Sequence, residues 1–163
     1  MCSPRRHIQI QIMLGKELHD MAQRDTRLRA CFAGVFAANE LPRQLPVRHL
    51  LIVNCCNRNL PGEHWVAVCQ TSPNEIEFFD SFGQQPILYN LEAKLPSAQR
   101  IVYNTKQLQS VDSQVCGHYC LFYCYYRARG YSMNQIVSRH FSRDTSNNDS
   151  FVFTRVNNIL KMK

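Results

Sequence analysis

The sequence predicts an α+β domain, and three observations carry that expectation. Runs rich in β-branched and apolar residues at His49–Asn54, His64–Gln70 and Glu75–Asp80 read as strands. The segment Gly117–Arg129 is apolar on nearly every side, the pattern of a helix buried at the centre of a fold. A chain of 163 residues, 45% of them hydrophobic, can bury one core and calls for no second domain, so residues 1–163 are expected to form a single unit.

Taken in order, Lys16–Ala30 carries Leu18, Met21, Ala22 and Leu28 among charged residues, which predicts one amphipathic helix. Phe32–Pro42 is broken by Gly34 and closed by Pro42 and Pro46, so it reads as an extended or looped surface segment. The turn formers Thr71–Asn74 join the second and third strand candidates into an antiparallel hairpin. With the turn centred on Ser72-Pro73, partner numbers sum to about 145, which puts His64 opposite Ser81 or, after a one-residue shift, Asp80. A short strand follows near Arg100–Tyr103. The buried helix then ends at Gly130 as its C′ residue, with Arg127 and Arg129 in the last turn, where cations suit the helix dipole. Helices are expected around Met133–His140 and Phe151–Leu160, separated by a polar loop Ser142–Ser150. The sequence shows no internal repeat and no low-complexity segment.

The charge balance, 19 basic against 12 acidic residues, gives +7 and favours acidic or phosphate-rich partners without specifying one. The basic residues are scattered, as in Arg24/Arg27/Arg29, Arg127/Arg129, Arg139/Arg143 and Arg155/Lys161/Lys163, which suits a solvated surface, and nonspecific DNA binding is compatible with the charge. No stretch approaches the apolar length of a membrane span, and Met1–Asp20 mixes Arg5, Arg6 and His7 with short apolar pieces, so a soluble, non-secreted chain without membrane contact is expected. Eight cysteines without an export signal point to free thiols in a reducing, intracellular setting. Their spacing, Cys55-Cys56 and then Cys116, Cys120 and Cys124, lacks the paired CxxC units of a structural zinc site, so no metal is expected.

One cysteine stands apart. Cys116 falls at the N-terminus of the buried helix, where the positive end of the dipole and unpaired backbone N–H groups favour thiolate over thiol. Cys120 and Cys124, one and two turns deeper, read as inert core residues. A nucleophilic cysteine needs a base and a group to orient that base, and the hairpin offers His64 and Asp80. His7, His19, His49, His118 and His140 have no strand-paired carboxylate. Trp65, beside His64, can wall a site. An oxyanion hole needs backbone and side-chain donors; Gln109, Gln107 and Gln114 all precede Cys116 and compete for that role.

These residues, in the order His, acid, Gln, Cys, resemble the adenovirus-type cysteine endopeptidases and, more distantly, the SUMO- and ubiquitin-like-protein-specific proteases. Gly62-Glu-His64-Trp65-Val-Ala is similar to the former family's Gly-x-His-Trp-x-Ala strand, and Phe78-Phe-Asp80-Ser-Phe-Gly83 to its acid-Pro/Ser-Phe-Gly motif. Gln109 stands seven residues before Val115-Cys116-Gly117-x-x-Cys120, as in that family, and Phe32-x-Gly34 with Ile52-Val53-Asn54 also matches. The resemblance spans about residues 32–124. It implies a papain-like cysteine protease fold, with the nucleophile's helix packed on a mixed sheet that bears His64 and Asp80. It implies a catalytic triad of Cys116, His64 and Asp80, an oxyanion hole of Gln109 and the Cys116 N–H, and substrate contacts at Trp65 and Gly117. The implied substrates are viral or transposon-encoded precursor proteins cut near glycine. A monomeric enzyme, a host nucleus or virion as its setting, and a short peptide or DNA as activator are implied as well. The family's acid is typically Glu, whereas Asp80 follows the ubiquitin-like-protease usage and keeps a deconjugating isopeptidase open, beside a non-catalytic domesticated binding module.

Overall fold

Alternation of apolar side chains across a pleated sheet places them on two faces, and here both faces are covered. In the computed structural model, which describes residues 12–56, 64–96, 98 and 100–160, five strands form one mixed sheet in the order β1-β2-β3-β4-β5. They are β1 (Phe32–Phe36), β2 (Leu50–Asn54), β3 (Trp65–Ser72), β4 (Glu75–Phe79) and β5 (Arg100–Tyr103). The outer pairs, β1 with β2 and β4 with β5, run parallel, and the inner pairs antiparallel. Leu50, Ile52, Trp65, Ala67, Cys69 and Phe79 enter a core with the helices. Leu51, Val53, Val66, Val68, Ile76 and Phe78 enter a second core, beneath the loop residues Ala38, Leu45, Leu91 and Leu95.

The helices are α1 (Gly15–Ala22), α2 (Thr26–Cys31), α3 (Cys116–Arg127), α4 (Met133–His140) and α5 (Thr145–Leu160), with a 3-10 turn at Pro86–Tyr89. In α3 every residue from Cys116 to Cys124 is buried, which accounts for a sequence apolar all round. Gly130, at φ +89°, closes it: the Gly130 N–H reaches the Arg127 carbonyl and the Tyr131 N–H the Tyr126 carbonyl, the paired bonds of a Schellman end.

Four expectations change. The single helix over Lys16–Ala30 is two helices, because the Asp25 carboxylate accepts the Leu28 N–H and starts a new helix three residues after the first one ends. The looped Phe32–Pro42 segment begins with β1, and Gly34, at φ +141°, marks a register shift inside that strand and not a break. The polar loop Ser142–Ser150 is mostly the start of α5, whose first turn is capped by Asp144 accepting the Asn147 N–H. Its polar residues are spent on anchoring: buried Asn148 donates to the carbonyls of Leu108 and Ser142.

The fourth change concerns the hairpin. The turn residues are Pro73-Asn74, and an irregularity between Gln70 and Ser72 slips the ladder so that Ala67 faces Phe79, Val68 faces Phe78 and Gln70 faces Ile76. Carried to the open end, this register sets His64 opposite Phe82, with Asp80 on the diagonal. The expected direct facing of His64 and Ser81 or Asp80 is therefore off by one or two places, because the turn is centred one residue later than Ser72-Pro73 and the extra residue at Thr71 takes back only part of that shift. Among the described residues no helix is long and apolar enough to cross a membrane.

Candidate active site

The open end of the β3–β4 hairpin and the N-terminus of α3 meet at one cleft of about 260 Å³, whose lining includes His64, Gln109, Gln114 and Cys116. Its mouth adds Ile12, Phe82 and the 111–113 loop, in which Val111 is 81% exposed. Asp80, fully buried, lies behind His64: the imidazole Nε2 donates to Asp80 Oδ1 at 2.6 Å, which leaves Nδ1 as the remaining ring nitrogen. His64 stacks on Phe82 at 4.8 Å between centroids and meets the tilted ring of Tyr89 at 5.5 Å.

The carboxylate is held more firmly than the histidine. Asp80 Oδ1 also accepts the Phe82 N–H, and Oδ2 accepts the Gln84 N–H and the Tyr89 hydroxyl, the last at 2.7 Å. Its own backbone is clamped by Asn104, whose side chain accepts the Asp80 N–H and donates to the Asp80 carbonyl. Burial by itself pulls the His64 pKa down, but its interactions with Asp80 and Cys116 outweigh that and raise it to about 9. The imidazole therefore carries a proton at neutral pH.

Cys116 is the first residue of α3, and the residue before it, Val115, supplies no side-chain cap. Helix starts are commonly capped by Ser, Thr, Asp or Asn, and omitting the cap leaves first-turn N–H groups free to bind a ligand oxygen. Gln109 is 1% exposed. Its Nε2 donates to the Ser113 carbonyl at 3.0 Å, and since a carbonyl only accepts, this bond fixes which end of the amide is nitrogen. Its Oε1 accepts the Ser81 hydroxyl at 2.6 Å. Gln107 turns elsewhere, donating to the Gln109 carbonyl, so it supports the loop rather than the cleft.

The other cysteines and histidines of the sequence reading are separated by burial and neighbours. Burial pushes the Cys120 and Cys124 thiols well up. Cys55, at the end of β2, is likewise pushed up by burial first and then by the charges of Asp80 and Cys116. His19 packs on Phe32, His118 on Phe153, and His140 among Phe122, Tyr126 and Phe151. Cys2, His7, Gly62 and Glu63, along with Arg5, Arg6, Lys161 and Lys163, lie outside the described residues. The described cysteines are free thiols, and no group of three or more His, Cys, Asp or Glu side chains among the described residues could hold a metal ion.

Two expected substrate contacts are not among the residues that line the cleft. Trp65 is buried in the helix-side core, with its indole N–H donating to the Met13 carbonyl at 2.9 Å. Gly117 faces α1: a Cβ there would lie 3.0 Å from Leu18 Cδ2 and 3.3 Å from Met13 Cβ. Both residues seat the segment that precedes α1, and that segment brings Ile12 to the cleft. Sequence reasoning missed Ser81, Asn104, Tyr89 and Ile12. Only Ser81 had a visible signal, its place beside the acid.

Neither a known family nor a curated protein sequence matches the chain. Solved structures do. The crystal structure of the ASFV pS273R protease superposes with a TM-score of 0.60 at 16% identity, covering 93% of this chain and 68% of the other. The chain has a cysteine-protease fold. A second crystal structure, of the selenomethionine form of the same ASFV protease, is 20% identical over 70% of this chain and 45% of that one, with a TM-score of 0.45. The papain-like α+β arrangement, a buried helix packed on a mixed sheet, is thus the fold of this chain.

Proposed function

We propose that this chain is a cysteine endopeptidase with Cys116 as nucleophile, His64 as acid and base, and Asp80 as the group that orients His64. One observation carries the reading: His64, Gln109 and Cys116 line one cleft, with buried Asp80 bonded to the far side of the imidazole. The likeness in fold to a protease of ASFV supports the same reaction class.

In this mechanism the Cys116 thiolate attacks the scissile carbonyl carbon, and the carbonyl π electrons move onto oxygen. That oxyanion accepts hydrogen bonds from Gln109 Nε2 and the Cys116 N–H. The His64 imidazolium gives its proton to the leaving amine as the C–N bond breaks, leaving a thioester. Water then attacks the thioester while neutral His64 takes its proton, and the thiolate departs with the imidazolium restored. By resemblance to the adenovirus-type enzymes, the substrates are precursor proteins cut near glycine. Asp80 in place of their usual Glu favours a second reading, removal of a ubiquitin-like protein from a lysine side chain, through the same chemistry.

The test is mass spectrometry of the purified chain after a thiol-directed electrophile at pH 6, with peptide mapping, followed by cleavage assays on Gly-containing peptides and on ubiquitin-like conjugates. Selective labelling of Cys116, loss of labelling and of cleavage in Cys116→Ala, and retention of both in Cys120→Ala are expected. Cleavage that persists in Cys116→Ala would sink the assignment. Internal cutting of peptides and processing of conjugates separate the two readings.

A further inference from the structure

Placing a glutamine in an oxyanion hole leaves one problem open. A primary amide presents a donor at one end and an acceptor at the other, and half a turn about its last bond exchanges them. The acceptor end facing a developing oxyanion would repel it. Gln109 sits on a loop whose residues up to Ser113 have no regular secondary structure, so the fold alone does not choose the end.

We propose that Ser81 is a positioning residue of the oxyanion hole, anchoring Gln109 Oε1 so that, with the Ser113 carbonyl on the nitrogen end, the amide is held with its nitrogen toward the cleft. This deepens the protease reading and rests on it. Ser81 is 1% exposed and donates its hydroxyl to Gln109 Oε1 at 2.6 Å. The same residue receives the loop's backbone: its carbonyl accepts the N–H groups of Leu108 and Gln109, at 2.9 and 3.1 Å. Both attachments come from the residue next to Asp80, so the acid and the glutamine are set by one turn. With Oε1 held by Ser81 and one Nε2 hydrogen on the Ser113 carbonyl, the second Nε2 hydrogen is the one left for a ligand. A serine hydroxyl can itself accept as well as donate, but the Ser113 carbonyl already commits the nitrogen end, so the Ser81 hydroxyl acts here as donor.

The dock is rigid on the backbone side. At Gly83, φ is +72° and an added Cβ would lie 2.8 Å from the carbonyl oxygens of Thr105 and Lys106, so the acid's turn is pressed directly on the chain leading to Gln109. Asn104 ties the two again, bonding both the N–H and the carbonyl of Asp80. Removing the Ser81 hydroxyl therefore leaves the loop in place and loosens the amide, which the Ser113 carbonyl then holds by one end only.

The experiment is a double-mutant cycle on Ser81→Ala and Gln109→Ala, read with a fluorogenic peptide ending in Gly-Gly-aminomethylcoumarin and with a peptide aldehyde of the same sequence. Loss of one oxyanion donor costs about 10²–10³ in kcat, and a donor that is present but unconstrained costs less. Ser81→Ala is expected to lower kcat by about ten- to a hundred-fold, with KM nearly unchanged, and to weaken the aldehyde, whose hemithioacetal oxygen occupies the hole, by a similar factor. In the Gln109→Ala background, Ser81→Ala should cost nothing further, and Ser81→Thr, which keeps the hydroxyl, should restore activity. The pH profile of Cys116 alkylation should match wild type, since Asp80, Cys55, Tyr89, Cys120 and Asp112, ionisable groups around His64 and Cys116, are untouched. Full activity in Ser81→Ala, or equal costs in both backgrounds, overturns the inference. A changed alkylation profile overturns it too, because Ser81 would then act through the triad. Should Ser81→Ala not fold, Ser81→Thr against Ser81→Val gives the same contrast at constant shape. A wild-type chain that neither alkylates selectively at Cys116 nor hydrolyses the peptide overturns the protease reading, and this inference with it.

Discussion

Asp80 shows at the scale of one residue how a site is paid for in hydrogen bonds. Its carboxylate takes donors from His64, Phe82, Gln84 and Tyr89. An asparagine there is nearly isosteric, yet its NH₂ group must face at least one of those donors, and the charge that holds the proton on His64 is gone. Asp80→Asn should therefore fold less stably and lose about 10⁴ in kcat, the loss seen when a triad's acid is made neutral. The upper limb of its kcat/KM profile should fall below the pH of about 9 set by His64 in the native site. A pH-rate series checks both, and an unchanged rate would mean that another group orients His64. The residue pairing was partly legible in the sequence, because a histidine and an acid at the open end of a hairpin are few residues apart in space whatever the turn type. The donors to Oδ2 were not legible: Tyr89 arrives from a 3-10 turn and Gln84 from a backbone N–H, and neither leaves a mark in composition.

Element boundaries divided along the same physical line. The helix α3 and the strands β2 and β3 were legible because burial on all sides or on both faces leaves continuous apolar runs, whereas β4 and the half-exposed β5 showed only as short runs between turn signals. The split between α1 and α2 was hidden in a capping aspartate, and the start of α5 in polar side chains that bond to loops instead of water. The glycines of the site make the element scale testable. Gly130 and Gly83 both have positive φ, but a Cβ at Gly130 meets open space, whereas one at Gly83 overlaps the backbone of Thr105 and Lys106. Gly130→Ala should cost about 1–2 kcal/mol, the conformational cost alone. Gly83→Ala should cost a further 1–3 kcal/mol or so from overpacking, and should lower activity because the same turn carries Asp80 and Ser81. Urea unfolding of the two variants measures the difference, and equal costs would mean that the turn does not rest on the 105–106 backbone.

At the scale of the whole molecule, the site joins two bodies of structure: the helix-side core carries Cys116, and the hairpin carries His64 and Asp80. Their electrostatic coupling should appear in global stability. His64 has an ordinary pKa of 6.5 when the chain is unfolded and about 9 when folded, so the folded state holds its proton more tightly. A group of this kind contributes its full stabilisation below pH 6.5 and loses it as pH rises through about 9. Glu77, raised by burial, pulls in the same direction from the acid side and is common to wild type and variant, while further groups act outside that window. The Asp25 carboxyl, though burial raises it, is held low by Arg129 and matters in acid; His140 is lowered by burial and nearby arginines and matters below 6.5; Cys69 is pushed up to about 11. Tm measured across a pH series should therefore fall between about pH 6.5 and 9 in the wild-type chain. His64→Gln, which keeps a polar side chain but cannot hold the proton, should flatten that fall while leaving the acid side unchanged. A decline of the same slope in His64→Gln would show that the proton is held elsewhere, and the coupling between hairpin and helix would lose its support.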